Sequence, residues 1–248
     1  MNKIERFKFK NFEERHKNVL IEFHWDRVFK DFRDRWNTTE YLEYTIKIFK
    51  NVCVNNYSTQ DFLDECMDIY EVEYGLYPNN KVTKKVFMKI AQDIENIRQE
   101  NNWNRVKGYF VENIVNYIFL KKFNMKFFVE PEILYKNDVL VYRNDNVARK
   151  NFDILAHKKR ELFILGEVKT NLVNCISKND LKLEYIAQIN KINDIEYYII
   201  NSKKRFKIKP KVIKWYIVLN TINGINLPSL NGYKLVEVND LLANTVFN

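Results

Sequence analysis

The sequence predicts an α/β protein that begins with a mainly helical region. The segment Leu162–Lys169 is apolar at both odd and even positions as far as Gly166, a pattern typical of a strand that is covered on both faces. Apolar residues with helical spacing lie before and after this strand, over residues 105–123 and 179–192. We therefore expect helices and strands to share one core.

Residues 1–104 are expected to form the helical region, and residues 105–248 the core that contains the strand. Aromatic residues between Phe23 and Trp36 recur at spacings of two to four. This spacing predicts the buried face of a helix rather than a platform for stacking bases.

Two further helices are predicted in the first 100 residues. Ser58 and Asp61 have the spacing of a capping box, for a helix that ends near Gly75. Thr83 is expected to cap the next helix, which runs through Ile97.

The same two helices leave more than one role open. In a helix-turn-helix, Lys85 and Lys89 would face the DNA groove. The turn is longer than usual and the first helix is acidic, which favours a module for recognition, dimerisation or core completion.

The composition is that of an ordinary globular chain, since 46% of the 248 residues are hydrophobic. The first 30 residues are charged throughout, and no apolar run reaches the roughly 18 residues of a membrane span. We expect a soluble, intracellular protein with no membrane partner.

Cys53, Cys66 and Cys175 match neither a disulfide framework nor a zinc motif and are expected to be buried or idle thiols. His157 is expected in a hairpin turn, facing solvent, with contact to a phosphate as the alternative.

Three charged residues stand at the open end of a predicted hairpin. Asp153 precedes its first strand, and Glu167 and Lys169 lie at the end of its second. Strand side chains alternate between faces, so Glu167 and Lys169 share one. Carboxylates in an apolar strand are costly unless their charge is compensated, and a divalent cation between them would compensate it. The simpler alternative is an exposed ion pair beside an acid that precedes a turn.

The register of the hairpin decides whether Asp153 joins the other two residues. A loop centred near Lys159 would place Asp153 opposite Leu165 and diagonal to Glu167, with roughly 7–8 Å between their Cα atoms. A slip of one residue would move Asp153 to the other face.

Two helices flank the hairpin in the sequence. The first, Arg105–Phe123, carries Glu112 on the side of Gly108 and Val115. The second, Asn179–Ile192, carries Gln188 among its apolar residues, which are Leu181, Leu183, Ile186, Ile189 and Ile192.

This order of helix, hairpin and helix resembles the PD-(D/E)xK nuclease superfamily, over about residues 105–220. The resemblance implies a restriction-endonuclease-like core, a mixed central β-sheet flanked by helices. Phe152 stands where the family often has proline. The residues that match the family's catalytic positions are Glu112, Asp153, Glu167, Lys169 and Gln188.

What the resemblance implies is hydrolysis of phosphodiester bonds that leaves a 5′-phosphate. Asp153, Glu167 and the carbonyl of Val168 would bind Mg²⁺, for which Mn²⁺ could substitute, and Glu112 would hold a second ion or a water. Lys169 would remain protonated and face the attacking water or the phosphate.

A self-contained chain of this length looks most like a restriction-type DNA endonuclease, and such enzymes usually act as homodimers. A structure-selective or repair nuclease of the same superfamily is the alternative. An RNA-cutting relative is also open, for which His16 or His24 would have to serve as a metal ligand. Outside the enzyme class, the chain would be a nucleic-acid-binding protein on the same scaffold, or a helical assembly subunit.

The charge distribution favours a nucleic-acid partner. The chain has 41 Lys and Arg against 32 Asp and Glu, a net charge of +9. Residues 1–100 hold 17 basic and 18 acidic residues, so the whole excess lies in residues 101–248. Beyond Lys207 basic and apolar residues alternate, which predicts a strand or extended edge with one charged face; the alternative is a solvated edge strand. The predicted phosphate contacts are Lys203, Lys204, Arg205, Lys207, Lys209 and Lys211, with Lys214 beyond them.

Overall fold

The computed structural model describes residues 8–10, 39–52, 57–75, 81–99, 103–129, 131–135, 138–139, 152–201, 209–220 and 227–246. Contacts among them divide the chain into two compact units, one from Ile21–Ile114 and one from Met1–Leu20 with Val115–Asn248. The boundary predicted between residues 104 and 105 falls inside a continuous helix, Trp103–Lys121.

The described part of the first unit is helical. It contains α1 (Thr39–Val52), α2 (Thr59–Tyr74), α3 (Lys81–Arg98) and the start of α4 (Trp103–Lys121). Its core is apolar and aromatic, and Phe49 stacks on Phe110 with 4.2 Å between ring centroids.

The capping prediction for α2 is confirmed. The Ser58 hydroxyl accepts a hydrogen bond from the Asp61 N–H, the Asp61 carboxylate accepts one from the Ser58 N–H, and Gly75 caps the other end. The Thr83 prediction is wrong, because α3 begins at Lys81 and Thr83 lies inside the helix. The predicted helix at Phe23–Trp36 and the turn at residues 76–80 lie outside the described residues.

The described strands form three sheets. Three short strands make one small sheet, β1 (Lys8–Lys10), β3 (Glu132–Tyr135) and β4 (Asp138–Val139). Two make a tight hairpin, β7 (Ile176–Ser177) and β8 (Asp180–Leu181). The main sheet contains β2 (Lys126–Val129), β5 (Ile154–Lys158), β6 (Leu162–Asn171), β9 (Lys211–Asn220) and β10 (Lys234–Glu237).

The main sheet has the order β10-β9-β6-β5-β2. It is mixed, because β5 runs antiparallel to β2 and β6 while β6, β9 and β10 run parallel. Every residue of β6 from Phe163 to Val168 is buried, as the apolar pattern predicted. The protein therefore has an α/β fold with a mixed five-stranded sheet, and the predicted fold class is confirmed at that level.

Helices cover both faces of this sheet within its unit. One face carries Leu155, Phe163 and Leu165, which pack on the isoleucines of α5 (Leu183–Asn201). On the other face, Phe119 near the end of α4 lies 5.8 Å from the Trp215 ring of β9. The short helix α6 (Val238–Ala243) follows β10 directly. Among the described helices, none combines the length and the apolar character needed to cross a membrane.

Two sequence predictions about these elements are wrong. The second flanking helix begins at Leu183 rather than Asn179, because the chain first forms the β7–β8 hairpin, and it continues to Asn201. Leu181 therefore lies in β8, and Leu183 is 80% exposed. The basic segment from Lys211 forms a strand, as the alternation of basic and apolar residues predicted, but the expectation of an edge is wrong, since β9 lies between β10 and β6.

Candidate functional site

The β5–β6 hairpin brings the predicted carboxylates together with a register that differs from the predicted one. Leu155 lies opposite Leu165, and Ile154 lies opposite Gly166. Asp153 comes just before Ile154 and Glu167 just after Gly166, so this register places Asp153 beside Glu167. The difference is two residues, because the turn is centred one residue later than Lys159. A shift of two keeps every side chain on its predicted face.

The turn itself explains the shift. Lys159 and Arg160 both have positive φ, 50° and 62°, and the Glu161 N–H donates to the Lys158 carbonyl at 2.9 Å. Tight hairpin turns with positive φ usually contain Asn or Gly, whereas this turn contains Lys159 and Arg160. The residue types therefore gave no indication of where the turn is centred. The sequence therefore predicted the centre of the turn only to within one residue.

At the open end of the hairpin, Asp153, Glu167 and Lys169 form what we call the carboxylate site. The Lys169 Nζ donates hydrogen bonds to Asp153 Oδ2 at 2.9 Å and to Glu167 Oε2 at 2.5 Å. The Val168 N–H donates to the same Asp153 oxygen at 2.8 Å. The side chain of Glu167 is 1% exposed, while that of Lys169 is 16% exposed, so the ammonium marks the solvent side of the site.

The electrostatics of the site are those of two acids that share one cation. Burial and the adjacent Asp153 carboxylate raise the pKa of Glu167 well above its usual range, against the lowering effect of Lys169. Burial lowers the pKa of Lys169, but the two carboxylates raise it by more, so it lies well above its usual range. With all three groups ionised, the site carries one uncompensated negative charge.

The residues of the site fit a hard divalent cation. The Oε1 atom of Glu167 is buried and accepts no hydrogen bond from the described residues, so it has a free lone pair for a ligand. Mg²⁺ is usually held by one or two carboxylates and keeps several waters. No group of three or more His, Cys, Asp or Glu that could hold a metal occurs in the described ranges. The site therefore offers two carboxylates, and the role of the Val168 carbonyl remains a prediction.

Around Lys169 the structure adds residues that sequence reasoning missed. The Lys169 ammonium lies 5.5 Å from the centre of the Tyr185 ring on α5, within the range of a cation–π contact. Tyr216 of β9 pairs with Glu167 and is fully buried, and burial raises its pKa. Cys175 lies beside it, and burial raises the pKa of its thiol as well. The position of Tyr216 depends on the parallel pairing of β6 with β9, for which the sequence carries no local signal.

The remaining candidate residues are less closely tied to the site. Gln188 lies on α5 as predicted and is buried. Glu112 lies on α4, in the part that belongs to the helical unit, and is half-buried. The roles of both remain predictions.

No protein-family model, curated protein or solved structure matches this chain. The resemblance to the PD-(D/E)xK superfamily therefore rests on the residues of the chain itself.

The described residues among the predicted phosphate contacts do not lie at the carboxylate site. Lys203, Lys204, Arg205 and Lys207 lie outside the described residues. Lys209 and Lys211 are exposed, but Lys211 pairs with Leu162, at the turn end of the sheet. Lys214 is engaged within the protein, because its Nζ lies 2.7 Å from Glu196 Oε2 and 3.0 Å from Asn193 Oδ1.

His157 is not in the turn, which corrects the prediction that it faces solvent. It lies in β5, is 6% exposed, and packs between the rings of Phe128 and Phe163. Burial, with the positive charges of Arg160 and Lys126, lowers its pKa to about 4. Cys66 and Cys175 are buried free thiols, as expected, and Cys53 lies outside the described residues.

Proposed function

We propose that this chain is a Mg²⁺-dependent endonuclease that hydrolyses phosphodiester bonds in DNA. The observation that supports the proposal is the carboxylate site, where one ammonium bonds two carboxylates and one buried carboxylate oxygen lacks a donor among the described residues. A structural ion pair needs one acid for one base. A second, almost fully buried acid beside the first is costly unless a cation binds there.

Each residue has a role in this proposal. Asp153, Glu167 and the Val168 carbonyl would hold the ion, which when bound supplies Lewis-acid activation of water and neutralises charge on the scissile phosphate. The Val168 N–H fixes the Asp153 carboxylate by a 2.8 Å hydrogen bond. Lys169, kept charged by its neighbours and oriented on Tyr185, would offer a fixed positive charge to the phosphate.

The finer parts of the proposal rest on the resemblance and on charge. The net charge of +10 in residues 101–248 favours a polyanion, and a restriction-type enzyme acting as a homodimer is the form we propose. Glu112 and Gln188 complete the proposed catalytic set.

The test is cleavage of supercoiled plasmid in Mg²⁺ or Mn²⁺ by the full chain and by Asp153→Asn and Lys169→Met. Each variant should lose at least about 100-fold in rate, the scale of removing one electrostatic contact to a transition state. Matched controls carry the same type of change away from the site: Asp68→Asn on the exposed side of α2 and Lys214→Met at the Glu196 ion pair.

Binding of Mn²⁺ measured by calorimetry provides a readout independent of the DNA sequence. We expect a bound ion in the wild type and in both controls, and none in Asp153→Asn. Absence of metal binding in the wild type, or plasmid cleavage that survives Asp153→Asn, would contradict the proposal. Plasmid binding without cleavage in any metal would instead favour a nucleic-acid-binding protein.

A further inference from the structure

Basic side chains gather at the end of the main sheet that is farthest from the carboxylate site. Strands β5 and β6 are joined there, and the first residues of β2 and β9 pair with them. We call this surface the basic end; its residues are Lys126, Lys158, Lys159, Arg160, Lys209 and Lys211. All six are exposed, and the acid described among them is Glu161.

The geometry of the sheet sets the size of this surface. It extends across four strands, from β2 to β9, which is about 14 Å at ~4.8 Å between neighbours. Glu167 lies five positions along β6 from Leu162 at this end, a distance of about 17 Å at ~3.3 Å per residue. The basic end is therefore distinct from the carboxylate site but lies on the same rigid sheet.

The charges at the basic end are available to a partner. None of the six residues forms an ion pair with a carboxylate that the structure describes. Other lysines of the chain are engaged, since Lys89 binds Asp93 and Lys214 binds Glu196.

The neighbouring His157 lies within the field of two of these charges. Besides burial, the charges of Arg160 and Lys126 lower the pKa of His157, so their field reaches into the sheet. The turn is also held in place, because the Lys211 N–H donates to the Glu161 carbonyl at 2.8 Å. Three of the six basic residues thus stand on a hydrogen-bonded turn whose backbone needs no ordering on binding.

We propose that the basic end binds the phosphate backbone of duplex DNA. The choice of DNA as the polyanion rests on the proposed function, whereas the inference that this surface binds a polyanion rests on its six exposed basic side chains. Duplex backbone is the partner we choose because the six side chains that define this end are all basic, and phosphate contacts by basic side chains hold a duplex without the stacking of bases that single-strand binding uses. The basic end would then contact the DNA about 17 Å from the carboxylate site, measured along β6.

The experiment measures the affinity for a fluorescent DNA duplex at several salt concentrations without divalent metal, in an Asp153→Asn background. One variant carries Lys158→Gln, Lys159→Gln and Arg160→Gln, and a second carries Lys126→Gln, Lys209→Gln and Lys211→Gln. The slope of log K against log [salt] should fall in magnitude by up to about 2.7 for three lost phosphate contacts. The control variant, Lys121→Gln with Lys178→Gln and Lys234→Gln, removes the same charge from exposed lysines outside the basic end.

Unchanged slopes in both surface variants would overturn the inference. So would an equal fall in the control, which would show an effect of net charge alone. A fall seen with duplex RNA but not with DNA would overturn the assignment to DNA. This experiment measures binding and not cleavage, so it tests the basic end separately from the proposed hydrolysis. If the salt dependence falls in the surface variants of a protein that does not cut DNA, the basic end is supported and the proposed hydrolysis is refuted.

Discussion

Replacing Lys169 with methionine removes the ammonium that donates hydrogen bonds to both Asp153 and Glu167, while keeping most of the apolar side-chain volume. Two carboxylates would then lie side by side, one of them 1% exposed. Breaking a buried ion pair from one side typically costs about 3–5 kcal/mol, because the remaining charge is left uncompensated.

The lower end of this range applies here. Glu167 already has a raised pKa and can take up a proton, which limits the cost of leaving it without a cation. About 3 kcal/mol corresponds to a fall in melting temperature of roughly 10 °C for a chain of this size. A divalent cation should restore much of the loss, since it supplies the missing positive charge, and an ion at 100 times its Kd contributes about 2.7 kcal/mol.

The assay is thermal unfolding of the full chain with and without Mg²⁺, comparing the wild type, Lys169→Met and Lys214→Met. Lys214 is a close match, since its side chain is 15% exposed against 16% for Lys169 and its ion pair with Glu196 measures 2.7 Å. Mg²⁺ should stabilise Lys169→Met more than the wild type, and should stabilise Lys214→Met only as much as the wild type, since the carboxylate site is intact there. If Mg²⁺ stabilises both variants equally, or neither, the reasoning that the two carboxylates form a cation site is refuted.

Three further predictions concern stability and are checked by chemical denaturation. Gly166→Ala should cost about 1–3 kcal/mol, because a Cβ there would overlap the Trp215 carbonyl oxygen, while Gly108→Ala, with no neighbour described within 4 Å, should be neutral or stabilising by up to about 1 kcal/mol. His157 has a folded pKa of about 4 against 6.5, so the unfolded chain binds more protons between these values; stability should fall by up to about 3 kcal/mol as the pH drops from about 6.5 to 4, and less steeply in His157→Phe. Ser58→Ala should lose about 1 kcal/mol with the capping box, and an unchanged free energy of unfolding would contradict the cap's contribution.

Local patterns in the sequence determined several features of this protein. The capping box that begins α2 needs only a serine and an acid three residues apart. The burial of β6 on both faces follows from its unbroken apolar run. The period of two placed Glu167 and Lys169 on one face, and it kept Asp153 with them even though the predicted register was two residues off.

Tertiary structure alone decided the rest, because pairing between distant segments has no local signature. The turn at Lys159 and Arg160 set the register through backbone conformations that the residue types do not favour. The parallel pairing of β9 with β6 put Tyr216 beside Glu167, and pairing with β10 on the other side made β9 an interior strand, whereas the sequence left open a strand or an extended edge. The same pairing carried Lys211 to the opposite end of the sheet from the carboxylates. The sequence thus determined which side chains share a face, while long-range strand pairing determined which of them meet.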